Sequence, residues 1–192
     1  MPDPRPEALD FLLTRRSRPA KTLTGPGPGR EALRTLLTAA ARSPDHGKLE
    51  PWRFIVLERA ALTRLSALTD RLGAARGRDA EQCAKDRVGF DRAPVAVAVV
   101  ASPKPSEKIP EVEQLYSAGA VCLALLNAAL AAGWGANWLS NWMATDEAWL
   151  AEGLGLAPGE TVAGFLHIGT ETIAPPERPR PDLDAITAWV AE

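Results

Sequence analysis

The chain has 192 residues, 46% of them hydrophobic and 24% charged, the range of a soluble globular protein with room for a core in one domain over 1–192. Its net charge is −2 and its lysines and arginines are scattered, which excludes a nucleic-acid footprint. Cys83 and Cys122, in helix-like stretches without metal-type spacing, exclude a disulfide framework and fit a reducing compartment. The amino-terminal MPDPRPEALDF has no cationic start or apolar run of a signal peptide, so a cytoplasmic protein is expected.

In chain order, Glu7 to Arg16 reads as a helix, with Leu9, Phe11, Leu12 and Leu13 on its apolar face and Pro19 as its stop. Leu23 to Gly29, LTGPGPG, must be a loop. A second helix is predicted over Arg30 to Arg42, with Leu33, Leu36, Leu37 and Ala40 at helical spacing. Arg53 to Glu58 alternates as a strand, and Ala60 to Ala75 and Ala80 to Val88 read as helices. Ala93 to Ala101, APVAVAVVA, is a small apolar run suited to a strand covered on both faces. After a loop, a long apolar helix runs to Gly133, followed by a strand over Gly135 to Leu139. Asp146 to Gly153 reads as a short helix with acids in its first turn. Thr161 to Thr170 is the last strand, and the tail after it is proline-rich and then apolar, suited to lying across a partner. Few, dispersed strands among many helices predict an α+β layered fold with a mixed or antiparallel sheet.

The long apolar helix raises a separate question, because Gln114 to Thr145 contains no charged residue and could span a bilayer. Alanine and glycine dominate it, Asn127 and Asn137 interrupt it, and no basic cluster flanks it. The expectation is therefore no membrane span but a central helix buried on every side. Its small residues Gly119, Ala120, Ala124, Ala128, Ala131 and Ala132 would admit a second helix in a dimer interface.

Candidate chemistry is sparse. Thr14-Arg15-Arg16-Ser17 supports two readings. Arginines in a last helical turn complement the helix dipole and its free carbonyls. Alternatively, two guanidinium groups and a hydroxyl make a phosphate clamp. Arg42 lies in the last turn of the second helix, where the dipole reading is available. Asp45 and His46 follow it, where a capping or surface role is the plain reading of the histidine, and Trp52 suits the core. GPGPG lacks the preceding strand and the backbone donors of a phosphate loop, and GLGLAPG lies between a helix and a strand, the wrong order for a dinucleotide fingerprint. His46 and His167 are the only histidines, so no histidine-rich metal site is expected, and no nucleophile elbow is present. With no conventional acid, base or nucleophile, no catalytic side chain is assigned, and the chemistry is expected to come from a cofactor.

The order of these pieces resembles the flavin-dependent nitroreductase family, closest to its small bacterial NAD(P)H branch. An early helix ends in RRS, SPDHGKLEPWRFIV follows about a helix later, then a small-residue helix, GWGANWLS and VAGFLHIGT. The resemblance runs from about Ala8 to Thr170. It implies an FMN enzyme that forms a homodimer, takes hydride from NADH or NADPH, and reduces small electron-poor acceptors such as nitroaromatics or quinones. It implies that Arg15, Arg16 and Ser17 meet the ribityl phosphate, that Arg42 and His46 reach the flavin from the other subunit, and that Trp138, Leu139 and Ser140 lie along it. Three departures stand out: Leu139 replaces the relatives' arginine, Asn141 their glycine, and Glu50 a glutamine. Leu139 keeps open a second reading, an FMN storage or delivery protein with little turnover. A membrane-anchored interaction protein is the alternative without flavin.

Overall fold

The structure is a computed structural model that describes residues 3–191, so Met1, Pro2 and Glu192 lie outside it. One five-stranded sheet organises the chain. The strands are β1 (Leu23–Thr24), β2 (Trp52–Glu58), β3 (Val95–Ala101), β4 (Gly135–Leu139) and β5 (Thr161–Glu171). β3 lies between β2 and β5, and β5 also pairs with β4 and, at its end, with β1. Every pairing is antiparallel, which settles the choice between a mixed and an antiparallel sheet.

All seven residues of β3 are buried, as its unbroken apolar sequence requires of a strand covered on both faces. Its two faces differ in size. Val95, Val97 and Val99 meet the side formed by α2 (Arg30–Ala40) and α5 (Glu111–Ala131), with Leu33, Leu36, Val121, Leu125 and Ile168. Ala96, Ala98 and Val100 face α3 (Arg59–Ala75), α4 (Ala80–Arg92) and α6 (Glu147–Leu154). The small alanines leave space that Phe90, Trp149 and Phe165 fill, with ring centroids 5.3–5.9 Å apart. Trp149 Nε1 donates to Thr69 Oγ1 at 3.0 Å, so the largest buried ring carries no unsatisfied donor.

Helix ends follow local chemistry. α4 opens on a reciprocal capping box between Asp79 and Gln82 and continues to Arg92, beyond the predicted Val88. α6 is capped by the Asp146 carboxylate and closes on Gly155 at φ 64°. α1 (Pro6–Thr14) buries none of its residues. In the tail, α7 (Leu183–Ile186) is equally exposed, and Trp189 is 92% accessible.

Within one chain α5 is covered on one face only. Its inner face, including Ala118, Val121, Cys122 and Leu125, is covered by the sheet and α2, but Val112, Leu115, Tyr116 and Leu123 face outward. The helix is long and apolar enough to cross a membrane by length and composition. Its inner half is nonetheless committed to the core. The sequence could not separate the two faces because alanine and leucine occupy both.

His167 of β5 sits beside Phe90, with the backbone of Gly89 against its ring; a Cβ on Gly89 would lie 2.5 Å from Nε2. Its Nδ1 has no hydrogen-bond partner, and burial pushes its pKa down to about 4. An unfolded chain titrates near 6.5, so the neutral ring contributes full stability above that pH and loses it as the pH falls toward 4. Lowering the pH from 7.5 to 5 should cost about 2 kcal/mol through this residue. Urea unfolding of wild type and of His167→Leu at both pH values should show the smaller pH effect in the variant.

Candidate functional site

Arg15 and Arg16 stand past the end of α1, not in its last turn. The helix stops at Thr14, and Arg15 is already extended at φ −56°, ψ 144°. The reason lies across the fold: Arg18 N–H donates to the Ala136 carbonyl at 2.8 Å, and Asn137 Nδ2 donates to the Arg18 carbonyl at 2.7 Å. These bonds draw the segment out along β4 and stop the helix short of the predicted Arg16. The dipole-capping reading therefore fails for both arginines.

Arg15 Nη2 donates to Ser17 Oγ at 2.9 Å. The Nε atoms of Arg15 and Arg16 are buried without partners, and among the described residues neither guanidinium forms an ion pair. Arg18, by contrast, is neutralised by Glu171 at 2.7 Å. Burial, then the nearby charges of Arg180 and Arg16, hold the Arg15 pKa below its ordinary value. Glu171 lines the same pocket but is taken by Arg18, and Glu177 lies within electrostatic reach of Arg16. The unpartnered Nε–H donors of Arg15 and Arg16 still form a cationic site that an anion would complete.

Two cavities flank this segment. One of about 280 Å³ is lined by Phe11, Arg15, Arg16, Arg18, Trp134 and Gly135. The other, about 480 Å³, lies between β4 and α4 and includes Pro19, Ala20, Ala84, Val88, Asn137 and Leu139, with Lys21 and Lys85 also lining it. Gly135 and Leu139 are about 13 Å apart at strand rise, so the charged end and the mainly apolar end sit in line along one strand. Leu139 joins this cleft, whereas Trp138 points to the opposite face of β4. There its ring covers Gly164 and its Nε1 donates to the Ala163 carbonyl at 3.2 Å. Ser140 is exposed and lines neither cavity.

The Ser43–Trp52 loop is a separate structure. α2 ends at Ala40, leaving Arg42 exposed beyond it. Gly47, Lys48 and Glu50 adopt φ values of 72°, 55° and 49°, which costs the two non-glycine residues strain unless the surroundings hold them. Asp45 provides that hold, accepting the Leu49 and Glu50 N–H groups at 3.2 and 2.8 Å. Ser117 of α5 accepts from Trp52 Nε1 at 3.1 Å and donates to the Pro44 carbonyl at 2.6 Å. His46 Nδ1 meets Glu113 Oε2 at 2.8 Å.

The two clusters lie at opposite ends of α5. His46 touches Glu113 at its start, whereas Leu130 at its end lines the arginine cavity; about 25 Å of helix separates those positions. One chain thus sets Arg15, Arg16 and Ser17 near one end of β4 and Leu139 at the other, and leaves Arg42 and His46 apart from both.

Asn141 follows β4 at φ 138°, ψ −177°, a region natural to glycine and costing other residues of order 1–3 kcal/mol. Its Oδ1 accepts the Trp142 N–H at 2.7 Å, and its Nδ2 donates to Asp86 Oδ1 at 2.5 Å. Sequence reading marked Asn141 as a departure but gave no sign of Asp86, a charged residue in a polar helix. It also passed over Asn137 and Lys85, ordinary polar residues until the fold sets them on the cleft.

The fold is an antiparallel α+β layer with an open cationic pocket and a mainly apolar cleft along β4. The chain belongs to the nitroreductase family, whose model matches residues 12–170. It is 37% identical over 164 residues to "Putative NAD(P)H nitroreductase YdjA" of Escherichia coli K12, covering 85% of this chain and 88% of that one. A second relative, "Putative NAD(P)H nitroreductase" of Haemophilus influenzae, is 37% identical over 165 residues, with 85% and 88% covered. Among solved structures, a nitroreductase-like family protein from Bacillus cereus superposes with TM-score 0.78 at 23% identity, over 100% of both chains. "A putative nitroreductase in complex with FMN" from Desulfovibrio desulfuricans gives TM-score 0.73 at 24% identity, over 99% of this chain and 98% of that one.

Asp45→Ala should free two loop amides and lower stability by about 1–2 kcal/mol, measured by thermal melting, with the arginine cavity unaffected.

Proposed function

We propose that this chain is an FMN-dependent oxidoreductase of the cytoplasm that works as a homodimer. It carries reducing equivalents from NADH or NADPH to small electron-poor acceptors such as nitroaromatics or quinones. The observation that carries this reading is the pair Arg15 and Arg16, whose buried Nε–H donors have no hydrogen-bond partner and which, among the described residues, form no ion pair. A phosphate is the anion that guanidinium forks bind best. The order of pocket and cleft along β4 suits a phosphate joined to a flat ring. Family membership, the names of the relatives and the FMN complex in the D. desulfuricans structure support the same cofactor.

In this reading Arg15, Arg16 and Ser17 hold the phosphate, with Arg180 of the tail adding positive charge beside Arg15. Pro19, Ala84, Val88 and Leu139 form an apolar wall that excludes water from one side of the ring. When bound, FMN supplies the redox chemistry, accepting hydride from the nicotinamide and passing electrons to the acceptor. The chain contributes positioning and donors, and no side chain need act as a proton donor.

Arg42 and His46 reach the same site only from a second copy, given the span of α5. Val112, Leu115, Tyr116 and Leu123 are the uncovered apolar face which that copy would bury. Antiparallel pairing of two α5 helices sets the start of one beside the end of the other. Leu12 and Leu13 of α1 and Trp189 and Val190 of the tail are also uncovered and would lie against the partner. A second reading, FMN storage or delivery with little turnover, is favoured by one feature: Leu139 lines the cleft with an alkyl group where the family resemblance implies a guanidinium.

Purified protein should be yellow, and NADH or NADPH should bleach it without oxygen; colourless protein indifferent to added FMN would end the proposal. Slow bleaching by both nicotinamides at full occupancy would select the storage reading. Arg15→Ala with Arg16→Ala should weaken FMN binding by roughly 1.5–3 kcal/mol per charge-assisted contact removed, read by titration. Gly119→Arg, where a side chain meets open space within the chain, should leave the fold intact. It should also convert dimer to monomer in sedimentation and reduce FMN retention.

A further inference from the structure

The walls of the apolar cleft come from two elements that no backbone hydrogen bond joins. On one side α4 presents Glu81, Ala84, Lys85 and Val88, spaced as one helical face; on the other β4 presents Asn137 and Leu139. Among the described residues, the hydrogen bonds that link α4 to the segment after β4 all end on one carboxylate, that of Asp86. Its side chain is 5% exposed. Oδ1 accepts from Asn141 Nδ2 at 2.5 Å and from Arg78 Nη2 at 3.1 Å. Oδ2 accepts from Arg78 Nε at 2.5 Å and from Trp142 Nε1 at 2.9 Å. Four donors use the whole acceptor capacity of a carboxylate.

This arrangement explains how a non-glycine residue occupies position 141. At φ 138° the backbone favours glycine, and asparagine stays there because its amide is held at both ends, by the Trp142 N–H and by Asp86. Release of the Asp86 end would let residue 141 relax toward ordinary φ values. Leu139 and Ser140, directly before it, would move with it, and the cleft would change width. Arg78 fixes the carboxylate from the α3–α4 turn, so the brace is anchored on a third element.

We propose that Asp86 is a positioning residue for the cofactor cleft: it holds Asn141 in a glycine-type conformation and thereby sets Leu139 against α4. The inference rests on the reading that this cleft takes the ring of FMN. It deepens that reading by naming the device that holds a non-glycine residue at this backbone conformation.

The test compares FMN dissociation constants and visible circular dichroism of bound FMN for wild type, Asp86→Asn, Asn141→Ala, Asn141→Gly and the Asp86→Asn/Asn141→Gly pair. Asp86→Asn should weaken FMN at least tenfold and change the flavin dichroism. Asn141→Gly should stay near wild type, because glycine needs no tether. The pair should recover most of the affinity lost in Asp86→Asn, a rescue that a merely structural loss of the Arg78 ion pair would not show. Should Asp86→Asn fail to fold, the Asn141 variants decide alone. Alanine should bind at least tenfold more weakly than glycine, since alanine has neither the tether nor the freedom. Wild type that binds FMN while the alanine and glycine variants bind alike overturns this inference and leaves the FMN reading standing. So does an Asp86→Asn protein that folds and binds as wild type does, or one that glycine fails to rescue. Wild type that takes up no FMN overturns the reading and the inference together.

Discussion

Two hydrogen bonds between the segment after α1 and strand β4 fix where the positive charge of this molecule can act. α1 buries none of its residues, so it cannot hold Arg15 and Arg16 in place. Their position comes from Arg18 and Asn137, which stitch the segment to β4, and β4 in turn is held by β5. The arginines thus inherit their placement from the sheet, the most rigid part of the fold, although they lie in a coil. Ligand groups held by a rigid support lose little entropy on binding. The same stitching directs the segment onward past Pro19 and Ala20 into the wall of the apolar cleft.

Much of this architecture was legible in the sequence because its signals were local. The apolar run Val95–Ala101, the helical spacing of Leu33, Leu36 and Ala40, and the short strand Gly135–Leu139 all stand where pattern reading sets them. The failures share one cause, which is that tertiary partners decided the outcome. α1 ends early because Arg18 is pulled onto β4. Asp86 carries no mark in the sequence, since its meaning depends on Asn141, Trp142 and Arg78 converging from two other places. For the candidate site, resemblance singled out the RRS motif and Leu139, which lie beside the two cavities along β4. The opposite orientation of Trp138 follows from strand alternation, which a motif of consecutive residues conceals.

The Ser43–Trp52 loop illustrates over-determination. Lys48 and Glu50 hold left-handed backbone angles because Asp45 ties their neighbours down and Ser117 bonds both ends of the loop to α5. A segment held this way presents His46 and Arg42 with little freedom, at a fixed offset from the start of the helix. α5 then works as a spacer between that loop and the arginine pocket, and its length separates the two clusters.

The placement of β5 in the chain has a consequence for biosynthesis. This strand pairs with β1, β3 and β4, yet it begins only at Thr161. A growing polypeptide must therefore carry a fully apolar β3 with one edge open through the translation of α5, β4 and α6. Such long-range closure is slow and leaves adhesive backbone exposed. The open edge of β3 is covered only once the eleven residues of β5 have been made.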